Sequence, residues 1–182
     1  MKTILITGST DGIGKQTAFE LALKGFELIV HGRNENRGKS VVEEIISKSG
    51  NENVHYVNAD LSNFQEIKSL SEKVMKDFPK LDVLINNAGV FETKKHILAN
   101  GFEKTFMINH IAPFILTKLL LDYIVKTNNS RIINVSSMAQ SSSIDFKNLN
   151  GEKHFDSYNA YAVSKLANVL FTYKLADLLK ET

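Results

Sequence analysis

"TGSTDGIG", residues 7–14, follows the apolar run Ile4-Leu5-Ile6 and spends three glycines in seven residues before a helical pattern begins. A short apolar strand that runs through a glycine-rich turn into a helix opens a βαβ unit. Such a turn is where a charged ligand can lie against the backbone. In that context Gly8 permits the tight turn, Gly12 lets the backbone approach a pyrophosphate, and Gly14 lets the new helix pack on the sheet. Ser9, Thr10, Asp11 and Ile13 complete the same candidate dinucleotide cradle at the helix N-terminus.

Outward from this turn, strands and helices alternate. Strands are predicted at residues 4–7, 28–30, 54–58, 81–86 and 131–135. Helices are predicted at residues 13–24, over the face of Val41, Val42, Ile45 and Ile46, from a Ser62/Gln65 capping box to Asp77, over 101–126 with an interruption at Pro113, and over 158–180. Several strands are continuous apolar runs, as in a parallel sheet covered on both faces. The order predicts right-handed crossovers and an α/β, Rossmann-like, doubly wound fold in one NAD(P)-binding domain, residues 1–182. The polar stretch 141–156 is predicted as a long loop.

Composition narrows the function only by exclusion. The chain has 182 residues, 43% hydrophobic and 23% charged, with a net charge of +2, an ordinary globular balance. Nothing in it favours nucleic acid or a membrane as partner, and no apolar run is read as reaching transmembrane length. The absence of Cys removes disulfides and thiolate metal sites and fits a cytoplasmic protein. The five histidines show no ligand spacing, so no metal is expected.

Further motifs follow in order: Asp60-Leu61, "NNAG" at 86–89, Asn109, "NVSS" at 134–137 and "YAVSK" at 161–165. Each alone is weak; a Y-x-x-x-K match arises by chance about half the time in a chain like this. Together, with T-G-x-x-x-G-x-G, they resemble the short-chain dehydrogenase/reductase family over the whole chain. The ending "YAVSKLANVLFTYKLADLL" and the long interval from Ser137 to Tyr161 resemble its retinol dehydrogenase-like branch.

The resemblance implies a catalytic set of Asn109, Ser137, Tyr161 and Lys165, with Ser136 as the alternative serine. A tyrosine phenol needs a nearby positive charge to work as a base near neutral pH, and Tyr161 and Lys165 are neighbours on one helical face. By the family pattern Lys165 also holds the nicotinamide ribose, Ser137 binds the substrate oxygen, Asp60 and Leu61 meet the adenine, and Asn87, Ala88 and Gly89 lie beside the cofactor. The family uses the main-chain carbonyl of Asn109 in a proton relay; Pro113 lacks the N–H that a regular helix would direct at that carbonyl. Tyr158 and Tyr173 lack a lysine four residues on and are decoys.

Cofactor choice is read after the second strand. Gly32 stands where NAD enzymes place a carboxylate, and it is read as leaving room, while Arg33 suits a 2′-phosphate. NADP(H) is therefore expected, with NAD(H) as the alternative. Many NADP-preferring relatives carry a basic residue where this chain has Asp11. The expected activity is interconversion of a carbonyl compound, often lipophilic in this branch, and its alcohol. A homo-oligomer is compatible with the family. By family analogy the strand order is 3-2-1-4-5 with further strands beyond, so the chain is expected to be C-terminally truncated, without the final strands and substrate-covering segment. Two alternatives follow: a catalytically inactive, truncated NAD(P)-binding protein, and, less favoured by the glycine spacing, a sugar-nucleotide epimerase or dehydratase.

Overall fold

The computed structural model describes residues 1–180; Thr182, where the expected domain ends, lies outside the described residues. The strands are β1 (Thr3–Ile6), β2 (Glu27–Gly32), β3 (Val54–Asn58), β4 (Val83–Asn86) and β5 (Arg131–Asn134). They form one sheet in the order β3-β2-β1-β4-β5, the order expected, and β1 is parallel to both β2 and β4. The helices are α1 (Gly12–Leu23), α2 (Glu35–Ser49), α3 (Phe64–Asp77), the single turn α4 (Lys104–Phe106), α5 (Ala112–Ile124) and α6 (Ser157–Leu178), with a π-helical turn at Met107–Ile111. The chain divides into two compact units: residues 1–88 with 116–133, and residues 89–115 with 134 onward.

In the first unit the central strands are buried on both faces. Ile4, Ile6, Leu28 and Val30 pack with Ala18 and Ala22 of α1 and Val41 and Ile45 of α2. Their alternate neighbours Leu5, Ile29 and Leu84 are fully buried as well, as are Leu116 and Leu120 of α5. Each such side chain contributes about 1.5–3 kcal/mol of burial free energy, which fixes register along the strands. Strand β5, apolar in sequence, lies at the sheet's margin, and Ile133 is 46% exposed there.

Local corrections are physical. The cap of α3 is Asn63, not Ser62: the Asn63 side chain accepts from Gln65 N–H at 2.9 Å, and Glu66 reaches back to Asn63 Nδ2 and to the Asp60 amide. The cap thus falls one residue later than predicted, and the Asn63 amide donates to Asp60 O rather than to Glu66, so the reciprocal bond of a capping box is replaced. Helix α2 ends at Gly50 in the left-handed region, φ 70°. The helical stretch Lys104–Ile124 is 21 residues long and, by length and composition alone, apolar enough to cross a membrane, contrary to the expectation that no segment would be; half of it is buried within the protein, as in a core helix.

In the second unit Phe106, Val163 and Ala167 form a small core that Ile111, Ile144 and Leu149 cover. The predicted loop 141–156 is thus anchored rather than loose. Asn150 Oδ1 also accepts from Glu103 N–H at 2.9 Å, and Lys95 donates to the Gly151 carbonyl at 2.7 Å.

Candidate active site

The glycine-rich turn is held by β2 and by the residues after β4. Gly8 has φ 63°, and a Cβ there would stand 2.7 Å from Ala88 Cα. The Thr7 hydroxyl oxygen accepts from the Asn87 and Ala88 amides, both at 3.0 Å. Asn87 Nδ2 donates to the Thr7 and Gly8 carbonyls at 2.9 and 3.1 Å. Asn87 and Ala88, expected beside the cofactor, therefore brace the loop. A Cβ on Gly14 would lie 2.4 Å from both Asn87 Nδ2 and Gly8 O, so Gly14 permits the close packing that the sequence predicts.

Gly12 differs from the other two. Its φ is 50°, and a Cβ there would meet no atom within 4 Å. The backbone there faces open space, as close approach of a dinucleotide pyrophosphate requires. Ile13, the next residue, is 77% exposed at this helix start. Asp11 caps α1; its Oδ1 accepts from Gly12 N–H at 2.8 Å, and its Oδ2 pairs with Arg37 at 2.6 Å. One amide expected to face the anion is thus taken by Asp11. The Arg37 guanidinium holds the Asp11 carboxyl below the usual carboxylate range.

Two further side chains point inward instead of toward a ligand. The buried Ser9 hydroxyl donates to Ile6 O at 2.7 Å and accepts from His31 N–H at 3.0 Å. Thr10 packs on Gly32, filling the space that the sequence reading leaves open. Arg33 is exposed and forms no ion pair or hydrogen bond among the described residues. Asp60 accepts from Ser62 N–H at 2.9 Å, and Leu61 is buried.

Sequence reasoning missed His31 and Tyr56. Gly8 N–H donates to His31 Nδ1 at 3.1 Å, and Nε2 bonds the Ala59 carbonyl at the same distance. These partners require the neutral Nε2–H tautomer. Burial pushes the His31 pKa down to about 4. Tyr56 Oη lies 2.9 Å from Gly32 O and 3.0 Å from Asn34 O, while a Cβ on Gly38 would fall 2.0 Å from its ring. Tyr56 therefore pins both ends of the segment that bears Arg33 and Arg37. No local pattern marks either role.

The second unit holds the four residues of the expected catalytic set, Asn109, Ser137, Tyr161 and Lys165. Helix α6, capped by Asp156, presents Tyr161, Ser164, Lys165 and Asn168. Lys165 is 4% exposed; its Nζ donates to Val135 O at 3.1 Å and lies 5.5 Å from the Tyr161 ring centre. It has no carboxylate partner among the described residues, and burial pushes its pKa down. Phe91 packs on Tyr161 at 5.6 Å between ring centres. The Tyr161 hydroxyl makes no hydrogen bond among the described residues. Tyr158 and Tyr173, read as decoys from sequence, are 61% and 71% exposed.

The two serines differ in what their hydroxyls do. Ser136 donates to the Lys165 carbonyl at 2.9 Å. Ser137 Oγ accepts from Ala139 N–H at 3.1 Å, which leaves its proton available to donate.

Asn109 sits in the π-helical turn, a distortion frequent at functional sites. Its side chain clamps Val90, accepting from Val90 N–H at 2.7 Å and donating to Val90 O at 3.0 Å and to Ser164 Oγ at 3.1 Å. Its carbonyl, read as freed by Pro113, accepts from Asn168 Nδ2 at 2.8 Å, and Asn168 Oδ1 faces His110 Nδ1 at 3.0 Å. A Cβ on Gly89 would lie 3.5 Å from both Asn109 Oδ1 and Lys165 Nζ.

A parallel sheet with a glycine-rich turn after its first strand is a Rossmann-like fold, and a late helix carries the Tyr–Lys pair of the expected catalytic set. The chain belongs to the short chain dehydrogenase family, whose sequence profile matches residues 2–182. It is 42% identical over 180 residues to retinol dehydrogenase 11 of Homo sapiens, covering 98% of this chain and 57% of that protein, so the resemblance to the retinol dehydrogenase-like branch is borne out. In structure it is similar to an uncharacterized protein of Mycobacterium paratuberculosis, with a TM-score of 0.86 and 33% identity over 98% of this chain and 63% of that one. It shares its fold with a short-chain dehydrogenase of Sphingobium yanoikuyae in complex with NADPH, with a TM-score of 0.79 and 23% identity over 98% and 66% of the two chains. The chain spans little more than half the length of the curated relatives it matches.

Proposed function

We propose that this protein interconverts an apolar aldehyde or ketone and its alcohol, using NADP(H), with Tyr161 as general acid and base. The observation that carries the reading is the Tyr161–Lys165 pair. A buried ammonium with only a carbonyl partner stands beside a phenol whose hydroxyl is uncommitted. That pairing supplies the neighbouring positive charge that a phenol acting as general acid and base needs.

NADPH, when bound, supplies the hydride that adds to the carbonyl carbon. Tyr161 gives its phenol proton to the carbonyl oxygen, completing the alcohol, and Lys165 stabilises the phenolate left behind. Ser137 donates a hydrogen bond to the same oxygen as charge develops on it. Oxidation of the alcohol reverses each transfer.

The preference for NADP(H) is supported by unengaged Arg33 and by the lack of a carboxylate at position 32. An apolar substrate is supported by the retinol dehydrogenase relatives and by two exposed side chains, Phe91 against Tyr161 and Met138 just beyond Ser137.

The test is NADPH oxidation with a panel of aliphatic and polyene aldehydes, comparing wild type with Tyr161→Phe. The variant is expected to lose at least about 100-fold in turnover, the scale of general acid catalysis, while cofactor affinity stays nearly constant. Turnover close to wild type in Tyr161→Phe would end the reading.

A further inference from the structure

Thr10 occupies the place of a side chain that position 32 does not have. A Cβ on Gly32 would stand 2.6 Å from Thr10 Cγ2, 2.8 Å from its Oγ1 and 3.3 Å from its Cβ. Separations under 3.0 Å cannot persist, so one partner would have to move. Turning Thr10 about its Cα–Cβ bond would still leave its Cβ at 3.3 Å, a tight contact, and neither backbone is free to give way. The Gly32 carbonyl accepts from Ala59 N–H at 3.1 Å and lies 2.9 Å from Tyr56 Oη. On the loop side, Ser9 N–H donates to His31 O at 2.9 Å, and His31 N–H returns a bond to Ser9 Oγ at 3.0 Å. The loop and the end of β2 are thus fastened together on both sides of the Thr10–Gly32 contact.

Gly32 is the last residue of β2, the position from which a carboxylate reads a ribose 2′-hydroxyl in NAD-binding folds. We infer that Thr10 is a specificity-determining residue: its side chain bars a carboxylate from position 32. Discrimination between NADPH and NADH therefore resides in the packing of the glycine-rich loop on β2, together with the charge of Arg33. The inference rests on the proposed cofactor preference. It adds that position 32 cannot be exchanged alone, because Thr10 and Gly32 form one steric unit.

The experiment compares Gly32→Ala, Gly32→Asp, Thr10→Ala and the double variant Thr10→Ala/Gly32→Asp. Melting temperature reads the packing, and the fluorescence of bound NADPH and NADH reads selectivity. Gly32→Ala should lower the melting temperature by about 4 °C or more through overpacking, and adding Thr10→Ala to it should restore most of that loss. Gly32→Asp alone should lose NADPH affinity without gaining NADH affinity. The double variant should bind NADH at least about ten-fold more tightly than wild type does.

If Gly32→Asp alone gains as much NADH affinity as the double variant, or if Gly32→Ala melts like wild type, the inference is overturned while NADP(H) binding stands. If wild type binds neither dinucleotide, the proposed function is overturned, and the role in selectivity with it.

Discussion

Asn168 donates its side-chain amide to the main-chain carbonyl of Asn109 at 2.8 Å. A carbonyl that Pro113 cannot serve is thereby satisfied from another helix, and the π-helical turn keeps Asn109 clamped on Val90. Because Nδ2 faces the carbonyl, Oδ1 faces His110, which must donate from Nδ1. Asn168→Leu, of similar volume, should leave the buried carbonyl without this donor and cost about 1–3 kcal/mol in urea unfolding. Asn168→Asp, which sets an acceptor against an acceptor, should cost at least as much. Unchanged unfolding of Asn168→Leu would show that the bond contributes nothing.

His31 should make stability depend on acidity. Its folded pKa, about 4, lies below the ordinary 6.5, so the unfolded chain takes up the proton first. The stabilisation is full above pH 6.5 and is lost as pH falls from 6.5 toward 4, in total on the order of 3 kcal/mol. Protonated Nδ1 can no longer accept from Gly8 N–H. Unfolding free energies at pH 7 and pH 4.5 should differ more for wild type than for His31→Gln. Parallel profiles would exclude His31 as the source.

Ser136 and Ser137 should separate stability from turnover. Ser136→Ala removes the bond to the Lys165 carbonyl and should cost about 1 kcal/mol of stability. Ser137→Ala should melt close to wild type and lose about 100-fold or more in turnover. The opposite pattern would transfer the substrate role to Ser136.

Arg33→Ala should weaken NADPH binding about ten-fold or more, the scale of a charged hydrogen bond, and leave NADH binding nearly unchanged. Equal losses for both cofactors would place Arg33 away from the 2′-phosphate.

Much of this was legible because it is local. The span Val54–Asn58 follows from its own residues, and Tyr161 and Lys165 are joined by helical spacing alone. The strand order came with the family resemblance. The cap of α3 was off by one because Ser62 and Asn63 both suit a cap; the choice falls to Glu66, which serves Asn63 and Asp60 together. Thr10 against Gly32, Asn87 across Gly8 and His31 beneath it join residues 22–79 positions apart, and no periodicity carries such pairs. The π-helical turn left only Pro113 as its trace.

The fastening of the glycine-rich turn bears on how a ligand is met. Thr7, Ser9, His31 and Asn87 fix its course with hydrogen bonds made wholly among protein atoms. The loss of chain entropy at residues 7–10 accordingly belongs to folding, and an incoming anion meets a socket already cut to shape. Freedom is left at Asp11, whose exposed partner Arg37 sits on α2, and exposed pairs of that kind are worth little. Entry to the socket can therefore be governed by a weak surface clasp, while its floor stays rigid.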